Sequence, residues 1–313
     1  MFKSLTLGSA LLLGSTVASA QAPAHIECNR ACLAGFMTTY LDALVHHDPS
    51  KLPTTKNVKY TENGVRLNLT DGLWQTASAL PDYRINILDE EAGSVALVGV
   101  ITENGIRNFF ATRLKIEQDK KVSEIENLVV RNVSGGNNNA TNAHEQHPLF
   151  SEPVPQNERL SRAELVKVGN SYFSGLDNDD SGQFVPFDPD CQRRENGGIM
   201  ANDPKAAPDS MQHMGCKDQF DTGFSVIVTN IRQRRFVAVD PDYGLVFAFG
   251  FFDHDGTVAK FSRTLDHKLV DVAPTFRQPF SFIIGEAFKV KKGKIRQIEA
   301  VLMTVPFGME SGW

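Results

Sequence analysis

Apolar residues recur every three or four positions in two separate places. Cys32, Phe36, Tyr40 and Leu44 form one stripe, and Leu165, Val168 and Tyr172 form another. That spacing lays each set along one face of a helix. Ser161 with Glu164 three residues on is a capping-box start for the second helix. Asp48-Pro49 and the Asp-Ser-Gly run at 180–182 then break the two patterns. Past each helix the period shortens to that of strands. The first series covers 95–101, 109–116 and 122–130. The second covers 224–229, 235–239, 245–252, 280–290 and 294–303. Turn pairs such as Asn104-Gly105, Asp255-Gly256 and Lys292-Gly293 divide them. A helix followed by a strongly bent antiparallel sheet is an α+β arrangement.

The two series read as one unit used twice. Tyr40-Leu41-Asp42-Ala43-Leu44, Asp48 and Glu62-Asn63-Gly64 recur in order as Tyr172-Phe173-Ser174-Gly175-Leu176, Asp180 and Glu195-Asn196-Gly197. Near the end of each copy, Ile125-Glu126 matches Ile298-Glu299, and the same alignment sets Arg113 against Glu286. Residues 134–158, rich in Gly, Asn and Pro, read as a linker crossed by few contacts, so the halves are expected to fold separately. The organisation is therefore 1–20 signal peptide, 21–133 first domain, 134–158 linker and 159–313 second domain.

The signal reading rests on Lys3, the apolar run from Leu5 to Val17 and the Ala18-Ser19-Ala20 cleavage site. That run is too short to span a bilayer. The expected location is secreted, or periplasmic in a bacterial host. Four cysteines in an exported chain suggest two disulfides. Three connectivities are open; pairing within each half gives Cys28–Cys32 and Cys191–Cys216. A zinc site would need histidines at ligand spacing, and none flanks a Cys pair. Asn68, Asn132 and Asn139 are glycosylation sequons.

Composition narrows the partners. The 313 residues carry a formal charge of −5 with no dense basic run, which disfavours nucleic acid and anionic membranes. Phe is over-used, at 21 against 5 Tyr and 2 Trp, which suits a large apolar interior.

The stretches LDALVHHDPSKLP (41–53), YTENG (60–64) and DGLW (71–74), with RLK (113–115) and EIENLVVR (124–131), resemble an exported family of tandem cones, mainly fungal. The leading helix and long strands are similar to the nuclear transport factor 2-like superfamily, which includes SnoaL-like cyclases, scytalone dehydratase and ketosteroid isomerase. The resemblance implies two cone-shaped domains, each a helix held in a bent antiparallel sheet around an apolar pocket. It implies no assigned reaction.

Candidate chemistry follows from residue type and place. His254, beside Asp253 at the end of the Phe-rich strand, is the expected general base, although Asp255-Gly256 also makes that segment a turn. Adjacent strand residues face opposite ways, so His254 and Asp253 cannot both point inward. Arg232 and Arg234 share a face if their stretch is a strand, and such a pair could hold an enolate or carboxylate; a solvated face is the plainer reading. Glu62 and Arg113 are the inward candidates of the first copy. His46 and His47 read as a helix C-terminal cap. The acidic run 177–182 lacks the Glu that a calcium loop needs at its twelfth position. No G-x-S-x-G, P-loop, dinucleotide or H-E-x-x-H pattern occurs.

Two functions follow as expectations. One is a cofactor-free lyase or isomerase (dehydratase, cyclase or double-bond isomerase) on a small apolar oxygenated metabolite, with no metal. The other is a non-catalytic binding or interaction protein. The partner in either case is a small apolar molecule, and a homodimer is compatible with both.

Overall fold

The computed structural model describes residues 27–131, 139–177, 183–264 and 266–313. The expected signal segment, the Asn132 sequon and positions 178–182 of the acidic run lie outside them.

Helix α1 (Arg30–Val45) starts where the Asn29 side chain accepts a hydrogen bond from the Cys32 N–H at 3.1 Å. It ends at His46, and His47 at φ +54° turns the chain away. Its buried face is Leu33, Met37, Tyr40, Leu41 and Leu44. Cys32 and Phe36, expected at its centre, sit at the edge, with Cys32 drawn back into a disulfide with Cys28.

The chain then forms β1 (Thr54–Glu62), β2 (Val65–Arg66), the single turn α2 (Leu73–Thr76), β3 (Ala77–Ala79), β4 (Arg84–Asp89), β5 (Ser94–Glu103), β6 (Ile106–Ile116) and β7 (Val122–Val130). Their order is β2-β1-β7-β6-β5-β3, with β4 also on β5. The sheet is mixed, because β1 lies parallel to β7.

The second half repeats this plan with α3 (Arg162–Asp177), β8 (Phe187–Glu195), β9 (Gly198–Ala201), the short α4 (Cys216–Phe220), β10 (Asn230–Asp240), β11 (Leu245–His254), a small hairpin of β12 (Lys260–Ser262) and β13 (Leu269–Asp271), β14 (Phe280–Lys291) and β15 (Lys294–Val305). Its order is β10-β11-β14-β15-β8-β9, with β8 parallel to β15. The capping box at α3 forms as expected, Glu164 accepting from the Ser161 N–H at 2.8 Å. Residues 224–227, expected to be extended, form a 3-10 turn instead. The sequence did not single out β1 and β8, because their polar residues hide the alternation.

Strand register aligns the halves residue by residue. Tyr60 pairs with Ile125 and Glu62 with Asn127, while Arg193 pairs with Ile298 and Glu195 with Ala300. Thr112 faces Asn127 and Glu286 faces Ala300, so Glu286 is the counterpart of Thr112. The sequence alignment of Arg113 with Glu286 is off by one, and in a strand one residue exchanges the two faces.

Each concave face packs on its helix, around Tyr40 and Trp74 in the first half and around Tyr172, Phe173 and Phe288 in the second. The two convex faces pack on each other. Ile85, Val98, Phe109 and Ala111 meet Phe247, Phe249, Ile283 and Val301 in a third core. A Cβ added at Gly285 would lie 3.1 Å from that of Ala111 and as close to the rings of Phe247 and Phe249, so the two sheets approach tightly at this glycine.

The expectation of a linker crossed by few contacts is therefore not met. Ala140 and Phe150 are buried in the shared core. Arg107 donates to the carbonyls of Ala140 and Ala143 while gripping Asp82 at 2.7 and 3.1 Å. Residues 139–151 form a strap along the seam.

Arginines at the helix starts complete the joint reciprocally. Arg30 of α1 binds Asp240 at the end of β10, and Arg162 of α3 binds Asp89 at the end of the equivalent β4. Disulfides Cys28–Cys32 and Cys191–Cys216 form as expected within each half. No helix among the described residues is long and apolar enough to cross a membrane.

Candidate functional site

Inside the first cone, the polar groups complete one another. Asn127 donates to the Tyr40 hydroxyl at 2.8 Å and accepts from Thr112 at 2.7 Å. Nearer the mouth, Glu62 accepts from the Tyr60 hydroxyl at 3.0 Å, the Leu73 N–H at 2.8 Å and Arg131 at 2.7 Å. Arg131 also holds Glu103 through two bonds of 2.8 Å, and Asn108 and Thr76 complete that carboxylate. In this network only Trp74 Nε1 lacks a partner among the described residues.

The second cone changes the residues at the same places. Tyr172 keeps the position of Tyr40. Arg193 replaces Tyr60, Glu286 replaces Thr112 and Ala300 replaces Asn127. Exchanging Asn127 for alanine removes the central hydrogen-bonding group, while exchanging Thr112 for glutamate brings in a carboxyl. Glu286 is 1% exposed, and its Oε2 has no hydrogen-bond partner among the described residues. Burial disfavours its charged form, and the Arg193 cation only partly offsets that, so its pKa is pushed up to about 8. Burial also raises the Tyr172 hydroxyl.

Arg193 is positioned from three sides. It donates to the Tyr172 hydroxyl at 3.3 Å and to Gln219 Oε1 at 2.9 Å, and its Nε lies 3.3 Å from Glu195. Gln219 sits on α4, which the Cys191–Cys216 disulfide ties to β8. The polar line from half-buried Glu195 through Arg193 to Glu286 runs inward past Phe187, Phe220 and Phe288, packed edge-on and tilted about Tyr172.

Residues singled out from sequence are distributed otherwise. His254 does face the concave side but is buried. Its Nδ1 lies 2.8 Å from the Ile227 carbonyl, its ring stacks on Phe280 at 4.6 Å, and Nε2 has no partner among the described residues. Burial lowers its pKa. Asp253 faces the opposite side, accepting from Arg232 at 2.7 Å and Ser281 at 2.5 Å, so the two do not form a pair.

Nor do Arg232 and Arg234 share a face. Gln233, at φ +52°, makes a bulge that turns Arg234 toward Asp177 on α3 while Arg232 stays with Asp253. Glu62 and Arg113 are likewise separated: Glu62 faces the first cone's interior, and Arg113 faces outward to Glu124 and Glu126. Asn68 is exposed and donates to Asp71, as a glycosylation site allows; the Asn139 side chain is outside the described atoms.

Sequence reading passed over Glu286, Tyr172, Arg193 and Gln219 as site residues. The available signal was a lone carboxylate within the apolar run Phe280 to Val290.

A family model described as a domain of unknown function (DUF8021) matches residues 27–129 and 158–302, one match per cone. Comparison with curated proteins gives no significant match. Among solved structures, the chain overlaps AclR from Streptomyces galilaeus, a proposed hydroxylase, at 13% identity and a TM-score of 0.29, covering 47% of this chain and 83% of that one. At this overlap no chemistry transfers between the two.

Proposed function

The chain belongs to the family described as a domain of unknown function (DUF8021), and from its geometry we propose that it catalyses a cofactor-independent proton transfer, of lyase or isomerase type, on a small apolar oxygenated molecule in the second cone. One observation carries this reading. Glu286 is a buried, incompletely bonded carboxyl beside a fixed arginine and a tyrosine, where the first cone holds the uncharged Tyr40–Asn127–Thr112 hydrogen bonds. Structural polar groups are normally satisfied, and a carboxyl with a perturbed pKa beside hydrogen-bond donors suits proton transfer.

In the proposed cycle, ionised Glu286 removes a proton from the carbon next to a substrate carbonyl. Arg193 and the Tyr172 hydroxyl bear the negative charge that develops on the carbonyl oxygen. Protonated Glu286 then returns the proton to a different carbon, which is an isomerisation, or to a departing β-hydroxyl, which leaves as water. A single carboxyl serves both steps. The likeness to nuclear transport factor 2-like and SnoaL-like cones belongs to this proposal.

A test uses 2-tetralone in D2O. The wild type accelerates deuterium uptake next to the carbonyl, and Glu286→Gln reduces this by ~10²-fold or more, a general base's usual share. No exchange above buffer sinks the proposal.

A second reading, a protein that binds without catalysis, is favoured by the aromatic packing of Tyr172, Phe187, Phe220 and Phe288 within the cone. Saturable 2-tetralone binding without exchange would select it.

A further inference from the structure

One end of the seam is basic. There the sheet of the first cone meets α3 and β10 of the second across a cavity of about 370 Å³, walled by Arg113, Lys115, Arg162, Arg235 and Trp313. Strand register sets out the charges. Glu124 on β7 lies between Lys115 on β6 and Lys59 on β1, but its carboxylate is taken by Arg113. Glu126, two residues along β7, holds Arg113 at 3.5 Å and grips Arg235 through both oxygens. Four cations thus share two carboxylates, and neither lysine is ion-paired among the described residues. Lys59 instead rests 4.0 Å over the Trp313 ring, and Lys115 donates to the Ala92 carbonyl.

Two donors stay open to the cavity. An ammonium has three N–H groups, and the Ala92 carbonyl takes one of those on Lys115. Arg162 spends Nε and Nη2 on Asp89, at 3.3 and 2.9 Å, which leaves its Nη1 without a partner among the described residues. Both side chains are only part-buried, so a ligand can reach them.

The rest of the wall is largely apolar, with Phe236, Val237 and the Trp313 indole. Phe236 and Val237 are consecutive, and a regular strand would turn one of them away. The irregularity of β10 between Phe236 and Ala238 lets both line the cavity. Trp313 is itself fixed, its Nε1 donating to Thr61 at 2.9 Å. An inorganic anion would leave this apolar wall wet, and a neutral molecule would leave the excess positive charge unanswered. A carboxylate on an aromatic body answers both, since its oxygens accept from Lys115 and Arg162 while its ring covers the indole. The volume falls within the ~300–1,000 Å³ range of small-molecule sites.

We infer that this cavity binds a small aromatic carboxylate, held by Lys115 and Arg162 with its ring against Trp313, Phe236 and Val237. The site lies outside the cone that holds Glu286 and is independent of the proposed reaction.

Calorimetric titration with 2-naphthoate in ~50 mM NaCl, where charge pairing is weakly screened, tests it. Wild type and Glu286→Gln should both bind, and the neutral analogue 2-naphthalenemethanol should bind wild type ~10-fold more weakly or worse. Lys115→Gln, which removes the charge, should weaken naphthoate ~5-fold or more. Val237→Trp, which fills the cavity and keeps every charge, should do the same, with folding of each variant checked by circular dichroism. No saturable heat from wild type overturns the inference. So does equal affinity for the neutral alcohol, or unchanged naphthoate affinity in the folded variants.

Discussion

Arg30, the first residue of α1, clasps Asp240 of the other half through two hydrogen bonds of 2.7 and 2.9 Å. The aspartate is fully buried, and it also accepts from the Tyr243 N–H. Asp240→Ala removes a buried charge partner at the joint but leaves Arg30 room to reach water. A loss of about 2 kcal/mol is expected. Calorimetry should show one transition moved to lower temperature, and two separate transitions would mean that the halves are energetically independent.

The shared core makes a related prediction for the strap. Proteolytic cleavage between residues 144 and 147 should leave two fragments that stay together through gel filtration, because the convex faces remain packed. Expressed alone, each half would expose that apolar face and aggregate.

Glu286 has a pKa raised from the carboxylate range to about 8 in the fold. The folded state then binds the proton more tightly than the unfolded state. Its penalty is absent below about pH 4, grows as pH rises and is complete above about pH 8. Glu286→Gln should therefore gain stability over wild type as pH climbs across that window, by a few kcal/mol at most, on the order implied by the shift. Urea midpoints at pH 5 and pH 8.5 check this. A constant difference would mean that Glu286 ionises normally. Turnover moves the opposite way: kcat/KM should rise through about pH 8 if the ionised form starts the reaction.

His254→Ala should cost ~2–3 kcal/mol, because it leaves a hole beneath Phe280 and removes the bond to Ile227. Its lowered pKa sets the sign in acid. The neutral ring is the folded form, so stability falls as pH drops below about 6.5, the value of a free histidine. Thermal melts at pH 7.5 and 5 should show a smaller acid loss in the variant than in wild type. An unchanged melting temperature would restore His254 as a catalytic candidate.

Replacing Cys191 and Cys216 by serine should cost ~3 kcal/mol in the chain-entropy model. It should also loosen α4, whose Gln219 holds Arg193. Turnover would then fall more at high pH, where ionised Glu286 depends on Arg193 for its charge partner. A loss of stability with a pH profile of unchanged shape would leave the disulfide a staple only.

The repeat, both helices, most long strands and both disulfides were legible because each leaves a local mark: a stripe, a turn pair or a cysteine within reach. The site was not legible to the same degree. Arg232 and Arg234 looked alike until the backbone at Gln233 turned one of them over. Setting Arg113 rather than Thr112 against Glu286, a one-residue error, hid the residue that distinguishes the two cones. The seam was hidden for a different reason. Strands buried on both faces show no alternation, so sequence alone does not separate Phe247, Phe249 and Phe251, the wall between the halves, from the residues that face the helix.

The crossed pairs Arg30–Asp240 and Arg162–Asp89 have the form of an isologous contact, in which each partner offers the same patch to the other. The molecule thus has the geometry of a symmetric dimer joined end to end. Two identical subunits translated from one coding sequence must change together, since every substitution appears twice across their axis. Joined in one chain, they are free to diverge, and one barrel can keep its Tyr40–Asn127–Thr112 hydrogen bonds while its twin exchanges threonine for glutamate and asparagine for alanine.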